Sequence, residues 1–240
     1  DVAPSRGLGD VYKRQDESVR MMLTGQVFAI MSGTATEDQV ESICRSADKY
    51  LYDQKAGGYR LNTNFHEEKF DLGRMFGFAY GEKENGAVFS HMAVMYSNAL
   101  YQRGFAKEGN KVLQALLDAA MEFDNSKMYP GLPEYFDNQG RGLYAYLTGA
   151  ASWYMLTMIT EVFGVKGDCG DLKIAPALMP EQYNQDGKAV LKMTFAGRNF
   201  EIIFYNKEKK EFDQLKIQKA ACDGKALETV SYTHLTLPTT

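Results

Sequence analysis

The 240-residue sequence has few of the residues on which several common kinds of site depend. It contains three histidines, no two of them close in sequence, and three cysteines without a CxxC pair. This scarcity argues against a histidine metal site, a zinc knuckle and a disulfide framework, and it fits a reducing cytoplasm. A net charge of −4 lacks the basic excess of a nucleic-acid surface, and no stretch approaches the ~18 uninterrupted apolar residues of a membrane span. We therefore expect a cytoplasmic protein with no metal, no nucleic-acid partner and no membrane contact.

The two ends of the chain differ in character from the rest. Residues 1–15 (DVAPSRGLGDVYKRQ) and residues 229–240 fit no element beside them, and neither has the charged flank and apolar core of a signal peptide. Both look like translated adapter sequence from the edges of assembled sequencing reads, rather than native disordered termini. We predict that the protein proper runs over 16–228 and is cut short at both ends. The composition of the whole chain, 45% hydrophobic and 24% charged, is that of a globular protein.

The first part of the protein proper, 16–168, shows helical periodicity in segments separated by long loops. Apolar residues recur at helical spacing in five segments: 17–32, 36–51, 90–102, 107–123 and 147–163, the last of which should end at Gly164. Thr36 and Gln39 form a capping box at the start of the second segment. The stretches 52–84 and 124–142 show neither helical nor strand period, and loops of such length usually serve a function. Helices that alternate with long loops predict part of an α/α barrel, because bundles have shorter connections.

A β-rich module is predicted over 169–228, where the apolar period changes from 3.6 to 2. The alternating segments are 172–174, 191–195, 200–204 and 214–218. Residues 196–199 are a candidate hairpin turn, and 223–224 (Asp-Gly) are another. The predicted fold class is therefore mainly α with a β C-terminal module.

Two stretches carry the residues suited to chemistry: 81–91 (GEKENGAVFSH) and 146–153 (YLTGAASW). Each places a polar or small residue at the predicted first turn of a helix, where unpaired N–H groups and the positive dipole end favour an anion. His91 offers a ring N–H, Thr148 a hydroxyl and Gly149 close approach of the backbone. The simpler interpretations are that His91 is an ordinary histidine at a helix start and that Thr148 is an N-cap.

These stretches resemble motifs of glycoside hydrolase family 94, which contains cellobiose, chitobiose and related phosphorylases. They match the family segments K-E-N-G-(G/A)-x-F-x-H and (W/Y)-L-T-G-(S/T)-A-(A/S)-W, and 23–33 (LTGQVFAIMSG) is similar to its L-N-S-Q-x-W-A-V-x-S-G helix. The segments 170–176 and 204–206 resemble its C-terminal module. The resemblance implies an (α/α)6 catalytic barrel followed by a β-sandwich-like cap. It also implies inverting phosphorolysis of a β-glycosidic bond to an α-sugar 1-phosphate, with inorganic phosphate as co-substrate and no cofactor.

Matched to the family's pattern, the candidate anion ligands His91, Thr148 and Gly149 fall on phosphate ligands. The family's catalytic acid and its phosphate-binding arginine lie upstream of the first motif, in a part of the barrel that this sequence does not contain. The resemblance therefore assigns no catalytic residue here, and we expect the fragment to be inactive by itself. It also suggests a homodimer.

The sugar-binding residues implied by the resemblance lie in and before the first motif and in the second long loop. Lys83 falls on a lysine near the acceptor-sugar subsite, and Glu84 lies beside it. The aromatic residues Phe78 and Tyr80 precede the motif and could form a platform for a sugar. Glu134 departs from a glutamine-bearing segment of the family, which suggests another β-linked glucoside such as laminaribiose or a β-1,2-oligoglucan.

Three other functions stay open from the sequence. An (α/α)6 hydrolase would need a base such as Glu84 or Glu134 at ~6.5–9.5 Å from an acid. A carbohydrate-binding or scaffolding protein would depend on 170–228 alone. A third alternative within the family is the phosphorylase-like domain of a cyclic β-1,2-glucan synthase.

Overall fold

The computed structural model describes residues 19–129, residues 131–227 and the backbone of the strand Leu235–Pro238. The segment 1–15, predicted to be foreign, lies outside the described residues. The same holds for all of the predicted foreign tail 229–240 except that strand, so the origin of both segments stays a prediction.

The chain forms two compact units that do not follow the predicted boundary after residue 168. The described part of the first unit comprises 19–93, 114–129 and 131–151. The second comprises 94–113 and 152–227 with the terminal strand. Because these units reflect packing within this chain, the predicted domain ranges 16–168 and 169–228 stay a prediction.

Five of the described helices lie close to where the apolar periodicity predicts them, whereas the single turn Phe123–Ser126 lies mostly in a stretch predicted to be irregular. In chain order the helices are α1 Leu23–Met31, α2 Glu37–Tyr50, α3 Ser90–Gln102, α4 Ala106–Met121, α5 Phe123–Ser126 and α6 Gly149–Thr157. The predicted capping box is confirmed, since Gln39 N donates to Thr36 Oγ1 (3.4 Å) and Thr36 N donates to Gln39 Oε1 (2.9 Å). A π-helix, Met158–Val162, continues α6 up to Gly164, whose φ of +67° ends the helical segment as predicted.

The core of the first unit begins with α1 and α2. Their apolar stripes supply fully buried side chains at Val27, Ile30, Val40 and Ala47. Each large side chain removed from water in this way contributes roughly 1.5–3 kcal/mol to folding. The main chain of the 52–84 loop is tied to this core, because Leu23 N donates to Leu61 O (2.8 Å).

The predicted irregular stretches contain short elements that position the candidate site. The hairpin β1 Tyr52–Asp53 with β2 Gly58–Tyr59 opens the first stretch. A three-stranded antiparallel sheet then joins β3 Val88–Phe89, β4 Tyr135–Phe136 and β5 Gly142–Leu143, in the order β3-β4-β5. Strands of two residues are too short to give a period-2 signal, so this sheet was not predictable from alternation.

The β-rich part of the second unit begins at Val165, directly after the last predicted helical segment and within the range 16–168 predicted for the barrel. Its strands are β6 Val165–Asp168, β7 Asp171–Ile174, β8 Lys188–Phe195, β9 Arg198–Tyr205, β10 Ala220–Cys222, β11 Lys225–Leu227 and β12 Leu235–Pro238. The sheet order β12-β7-β6 puts four residues of the predicted foreign tail against β7. Ala196 and Gly197, with φ of +48° and +73°, form the two-residue turn between β8 and β9 within the predicted turn segment.

One predicted strand of this part is wrong. Residues 214–218 alternate in polarity, but the structure has the 3-10 turn Phe212–Gln214 followed by chain without ladder pairing. Alternation marks a strand only where a neighbouring strand pairs with it, and no described strand pairs with this segment. The predicted turn at 223–224 is confirmed between β10 and β11, where Asp223 and Gly224 have φ of +48° and +75°.

Candidate functional site

The β3-β4-β5 sheet brings the ends of the two sequence motifs together. Phe89 pairs with Tyr135, and Tyr135 pairs with Leu143, so these three residues lie in register across the sheet. β3 and β5 both finish at this end of the sheet. The start of α3 follows β3 there, and the segment that runs from Tyr144 to α6 follows β5. Ser90 N donates to the carbonyl before β4, that of Glu134 (2.9 Å), which ties the start of α3 to the sheet edge. Short strands thus position residues that are far apart in sequence.

The three candidate phosphate ligands lie next to each other. His91 is the second residue of α3, and Gly149 is the first residue of α6. A Cβ on Gly149 would lie 2.6 Å from Cε1 and 2.7 Å from Nδ1 of His91, so the ring packs directly on the glycine. Thr148 precedes the helix, and its Oγ1 accepts from Ala150 N (3.3 Å). The N-capping role of Thr148 is therefore present.

The electrostatics of this corner suit an anion. The first turns of two helices meet at the contact between His91 and Gly149, so the positive ends of both helix dipoles lie there. Burial lowers the pKa of His91, so its imidazole is neutral near pH 7 and offers one ring N–H rather than a full charge. Such a corner can hold a phosphate through hydrogen bonds and dipoles.

The loop 81–86, which carries Lys83 and Glu84, is a fixed turn. Gly81 N donates to Asn85 O (2.6 Å), and Asn85 N donates to Glu82 O (3.0 Å). Gly81 has a φ of +93° and Gly86 a φ of +77°, where a side chain would be strained. Asn62, in the first long loop, binds the same turn through two hydrogen bonds. Its Nδ2 donates to Asn85 Oδ1 (3.1 Å), and its Oδ1 accepts from Gly86 N (2.8 Å).

Arg60 joins three segments beneath this loop and is only 8% exposed. Its Nη1 donates to Gly86 O (2.6 Å) and Asn138 Oδ1 (2.8 Å), and its Nη2 donates to Asp53 Oδ2 (2.8 Å). Burial alone would raise the pKa of Asp53, but hydrogen bonds from Ala56 N and the Arg60 guanidinium outweigh it and the pKa is lowered. The paired ions and satisfied acceptors make the loop a rigid platform.

Lys83 is held between aromatic rings. It has a left-handed φ of +46°, and its Nζ lies 5.2 Å from the ring centroid of Phe78 and 4.8 Å from that of Tyr144. A hydrogen bond to Tyr144 raises the pKa of Lys83, so the side chain is an ammonium ion at neutral pH. Rings and charge position this cation at the edge of the sheet.

The other predicted sugar-binding residues lie around the same loop, in different roles. Glu84 pairs with Arg74 (Oε1 to Nη2, 2.8 Å) rather than with its neighbour in sequence, and its Oε2 is buried and accepts no hydrogen bond from the described residues. Phe78 lies under both Arg74 and Lys83. Tyr80 is tied down, since its hydroxyl donates to Asn62 O (3.2 Å).

Glu134 contributes its backbone to the site. Its carbonyl accepts from Ser90 N (2.9 Å), and its N–H donates to Leu143 O (3.1 Å), so it links the sheet to α3. The side chain is partly buried. The structure therefore brings Lys83, Glu84 and Phe78 together, and Glu134 joins the site through its main chain.

Sequence reasoning missed two tyrosines of this cluster. Tyr135 donates its hydroxyl to Glu82 Oε2 (3.1 Å), and burial and this bond raise its pKa. The ring of Tyr144 lies 5.9 Å from that of Tyr135 and 5.7 Å from that of Tyr146. The tyrosine just before the second motif, Tyr144, was the available signal, but its contact with Lys83 could not be read from the sequence.

The described residues bear on metal and membrane binding as well. No group of three or more His, Cys, Asp or Glu side chains among them is arranged to hold a metal ion. No helix of that part of the chain is both long and apolar enough to cross a bilayer.

Comparisons with known proteins agree on one family. The catalytic-domain model of the glycosyl hydrolase 94 superfamily matches residues 7–164, a range that begins inside the segment 1–15. The cellobionic acid phosphorylase of Neurospora crassa is 26% identical over 79% of this chain and 25% of its own length. The solabiose phosphorylase of Paenibacillus borealis is 24% identical over 85% of this chain and 27% of its own length. The N,N'-diacetylchitobiose phosphorylase of Vibrio proteolyticus is 24% identical over 68% and 21%.

A solved structure named sialidase shares the fold, with a TM-score of 0.57 over 94% of this chain and 21% of its own, at 14% identity. At that identity the likeness concerns the fold alone. The chain spans about a quarter of the length of the first two phosphorylases, at 25% and 27%. The family match covers most of the chain and both motifs, 81–91 and 146–153. The chain belongs to the glycosyl hydrolase 94 superfamily, as its motifs predicted.

Proposed function

We propose that this chain is part of an inverting glycoside phosphorylase. The enzyme cleaves a β-linked gluco-disaccharide or oligosaccharide with inorganic phosphate and releases an α-sugar 1-phosphate. The observation that carries the proposal is the contact of the His91 ring with Gly149 at the joined N-termini of α3 and α6. A hydrolase has no use for an anion site beside its sugar, whereas a phosphorylase must hold its nucleophile there. The names of the related phosphorylases support the same reaction class.

In this mechanism the corner holds the phosphate that attacks the anomeric carbon. Thr148 and Gly149 bind its oxygens at the start of α6, and His91 donates a ring N–H. Hydrogen bonds to a charged group contribute about 1.5–3 kcal/mol each. No cofactor or metal is needed, because phosphate is both nucleophile and co-substrate. The base that activates water in an inverting hydrolase has no counterpart here.

Sugar recognition falls to the loop 81–86 and the rings around it. Lys83 and Glu84 bind hydroxyls of the sugar on the leaving side. Phe78, whose ring lies 5.2 Å from the Lys83 ammonium, and Tyr80, whose ring packs on Gly86, supply the aromatic platform. We also propose that the catalytic acid lies on a part of the enzyme outside this chain and that the helices belong to an (α/α)6 barrel. A cytoplasmic homodimer is the form that we expect.

The deciding experiment uses the full-length protein on a panel of β-linked glucose disaccharides, with and without inorganic phosphate. Sugar 1-phosphate is followed by phosphorus NMR, which also reports the anomer formed first. We expect an α-sugar 1-phosphate only when phosphate is present, and a loss of at least roughly 100-fold in His91→Ala. His66→Ala, which removes an exposed histidine, is the matched control. Free glucose released equally without phosphate would assign the protein to the hydrolases instead.

A further inference from the structure

Tyr144 occupies a backbone conformation that a tyrosine rarely adopts. Its φ is +60°, in the left-handed region that favours glycine, although it is a bulky residue. It directly follows β5, whose Leu143 is paired with Tyr135. Strain of this kind persists where the surrounding structure enforces it, and it is concentrated at functional sites. The strained backbone places the ring of Tyr144 over the Lys83 ammonium, at 4.8 Å.

Tyr144 and Tyr146 together present aromatic surface to solvent. Their centroids are 5.7 Å apart with the ring planes at 81°, so one ring meets the edge of the other. Tyr146 is 59% exposed and Tyr144 is 37% exposed, although both are fixed by contacts. Large aromatic side chains with a polar tip that stay accessible are typical of binding surfaces.

The polar groups around these rings indicate the ligand. The ammonium of Lys83 lies 4.8 Å from the ring centroid of Tyr144, and Glu84, which is paired with Arg74, follows it in the same loop. Aromatic faces combined with a few fixed donors and acceptors suit a pyranose, whose C–H face stacks on a ring while its hydroxyls form hydrogen bonds. Lys83 supplies charge and hydrogen-bond donors beside the rings, which a polyhydroxy ligand uses and a purely apolar one does not. Thr148, at the candidate phosphate site, follows Tyr146 by two residues.

We infer that Tyr144 and Tyr146 are substrate-contacting residues of the sugar subsite. Tyr144 stacks against the sugar and directs Lys83 towards it, and Tyr146 forms the adjoining wall. This inference rests on the proposed function in taking the sugar to be the one released by phosphorolysis. It adds residues that the two sequence motifs alone do not assign to sugar binding.

The test measures acceptor binding in the full-length protein. In the synthetic direction, from sugar 1-phosphate and an acceptor sugar, Tyr144→Ala and Tyr146→Ala should each raise the acceptor KM roughly tenfold. The KM for sugar 1-phosphate should stay within about twofold. Tyr205→Ala, which removes a tyrosine that is 63% exposed on β9, is the control and should change neither. Unchanged acceptor KM values in both variants would overturn the inference.

A double-mutant cycle tests the link between Tyr144 and Lys83. Tyr144→Phe keeps the ring but removes the hydroxyl that binds Lys83, so its effect should largely vanish in a Lys83→Met background. Additive effects would contradict a role of Tyr144 through Lys83. Titration calorimetry of the same sugars is the second readout, because it needs no turnover. If cleavage proves independent of phosphate, the proposed function fails, and the calorimetry of the tyrosine variants still decides this inference.

Discussion

The imidazole of His91 packs on Gly149 so closely that no side chain fits between them. A Cβ on the glycine would lie 2.6 Å from the ring. The first turns of α3 and α6 meet at this contact, so the glycine sets how near the histidine comes to the N–H groups of α6. The identity of one residue therefore controls the geometry of the candidate phosphate site.

Gly149→Ala should impair phosphate use more than stability. The added methyl displaces the His91 ring, while alanine favours the helix by about 1 kcal/mol over glycine. We expect the KM for phosphate to rise at least roughly tenfold, with a melting temperature close to that of the parent. Steady-state kinetics at varied phosphate, together with thermal denaturation, measure both effects.

The matched control is Gly25→Ala, the same substitution near the start of α1. No atom lies within 4 Å of a Cβ built there, so the variant should gain stability without a kinetic effect. Equal phosphate KM values in Gly149→Ala and Gly25→Ala would contradict the assigned role of the His91 contact.

Much of the helical part could be predicted from sequence, because its signals are local. The capping box of Thr36 and the stop at Gly164 are such signals, and both are confirmed. The juxtaposition of His91 with Gly149 followed from matching two motifs to one family rather than from periodicity. Its geometric cause, the pairing of Tyr135 with Phe89 and Leu143, rests on non-local strands of two residues each.

Other features had no local signal. Arg60 looks like a solvated surface charge in sequence, and its burial depends on acceptors from separate segments, such as Gly86 O and Asn138 Oδ1. The left-handed backbone of Tyr144 contradicts the usual preference for glycine there. Tertiary contacts impose such conformations, so they were found only in the structure.

Replacing Arg60 should destabilise the protein and loosen the loop 81–86. Arg60→Met leaves the carbonyl of Gly86 and the carboxylate of Asp53 without their donor, at a cost of about 2–3 kcal/mol. Arg60→Lys retains the charge but loses the fork of donors, so its free energy of unfolding should lie between those of the parent protein and Arg60→Met. Urea denaturation gives the free energies of unfolding. A rise in the acceptor KM would show that the loop 81–86 no longer holds Lys83 and Glu84 in place.

Arg45→Met is the control for this prediction. Arg45 is exposed and pairs with Glu41 one helical turn away, so its loss should cost roughly 0.5 kcal/mol or less. A cost for Arg60→Met no larger than that of the control would show that Arg60 does not hold the loop.

Stability should depend on pH through His91. Because burial lowers its pKa in the folded protein, the unfolded chain, with a histidine pKa near 6.5, binds the proton more readily. The free energy of unfolding therefore falls as the pH drops through about 6.5 towards the lower, folded value. His91→Gln should lack this part of the decrease between pH 7.5 and 5, as measured by urea denaturation at each pH.

Phosphate provides the internal check on the pH prediction. A bound phosphate near the ring favours imidazolium and raises its pKa, so saturating phosphate should reduce the loss of stability in acid. The ion should have no such effect on His91→Gln. A wild-type pH dependence that phosphate leaves unchanged would contradict contact between the ion and this histidine.

The backbone strain at Tyr144 should lower the stability of the protein, and the ring that it positions should strengthen sugar binding. Tyr144→Gly and Tyr144→Ala both remove the ring, but only glycine relieves the left-handed conformation, so the glycine variant should be more stable by about 1 kcal/mol. At Tyr146, which lacks a positive φ, the order should reverse, because glycine there costs about 0.4–1 kcal/mol through the unfolded state. Urea denaturation of the four variants measures both differences. If the alanine variant is the more stable one at both positions, Tyr144 is not strained. If the glycine variant is more stable at 144 only, and both Tyr144 variants bind the acceptor more weakly, the tyrosine is kept at a cost in stability because it contacts the sugar.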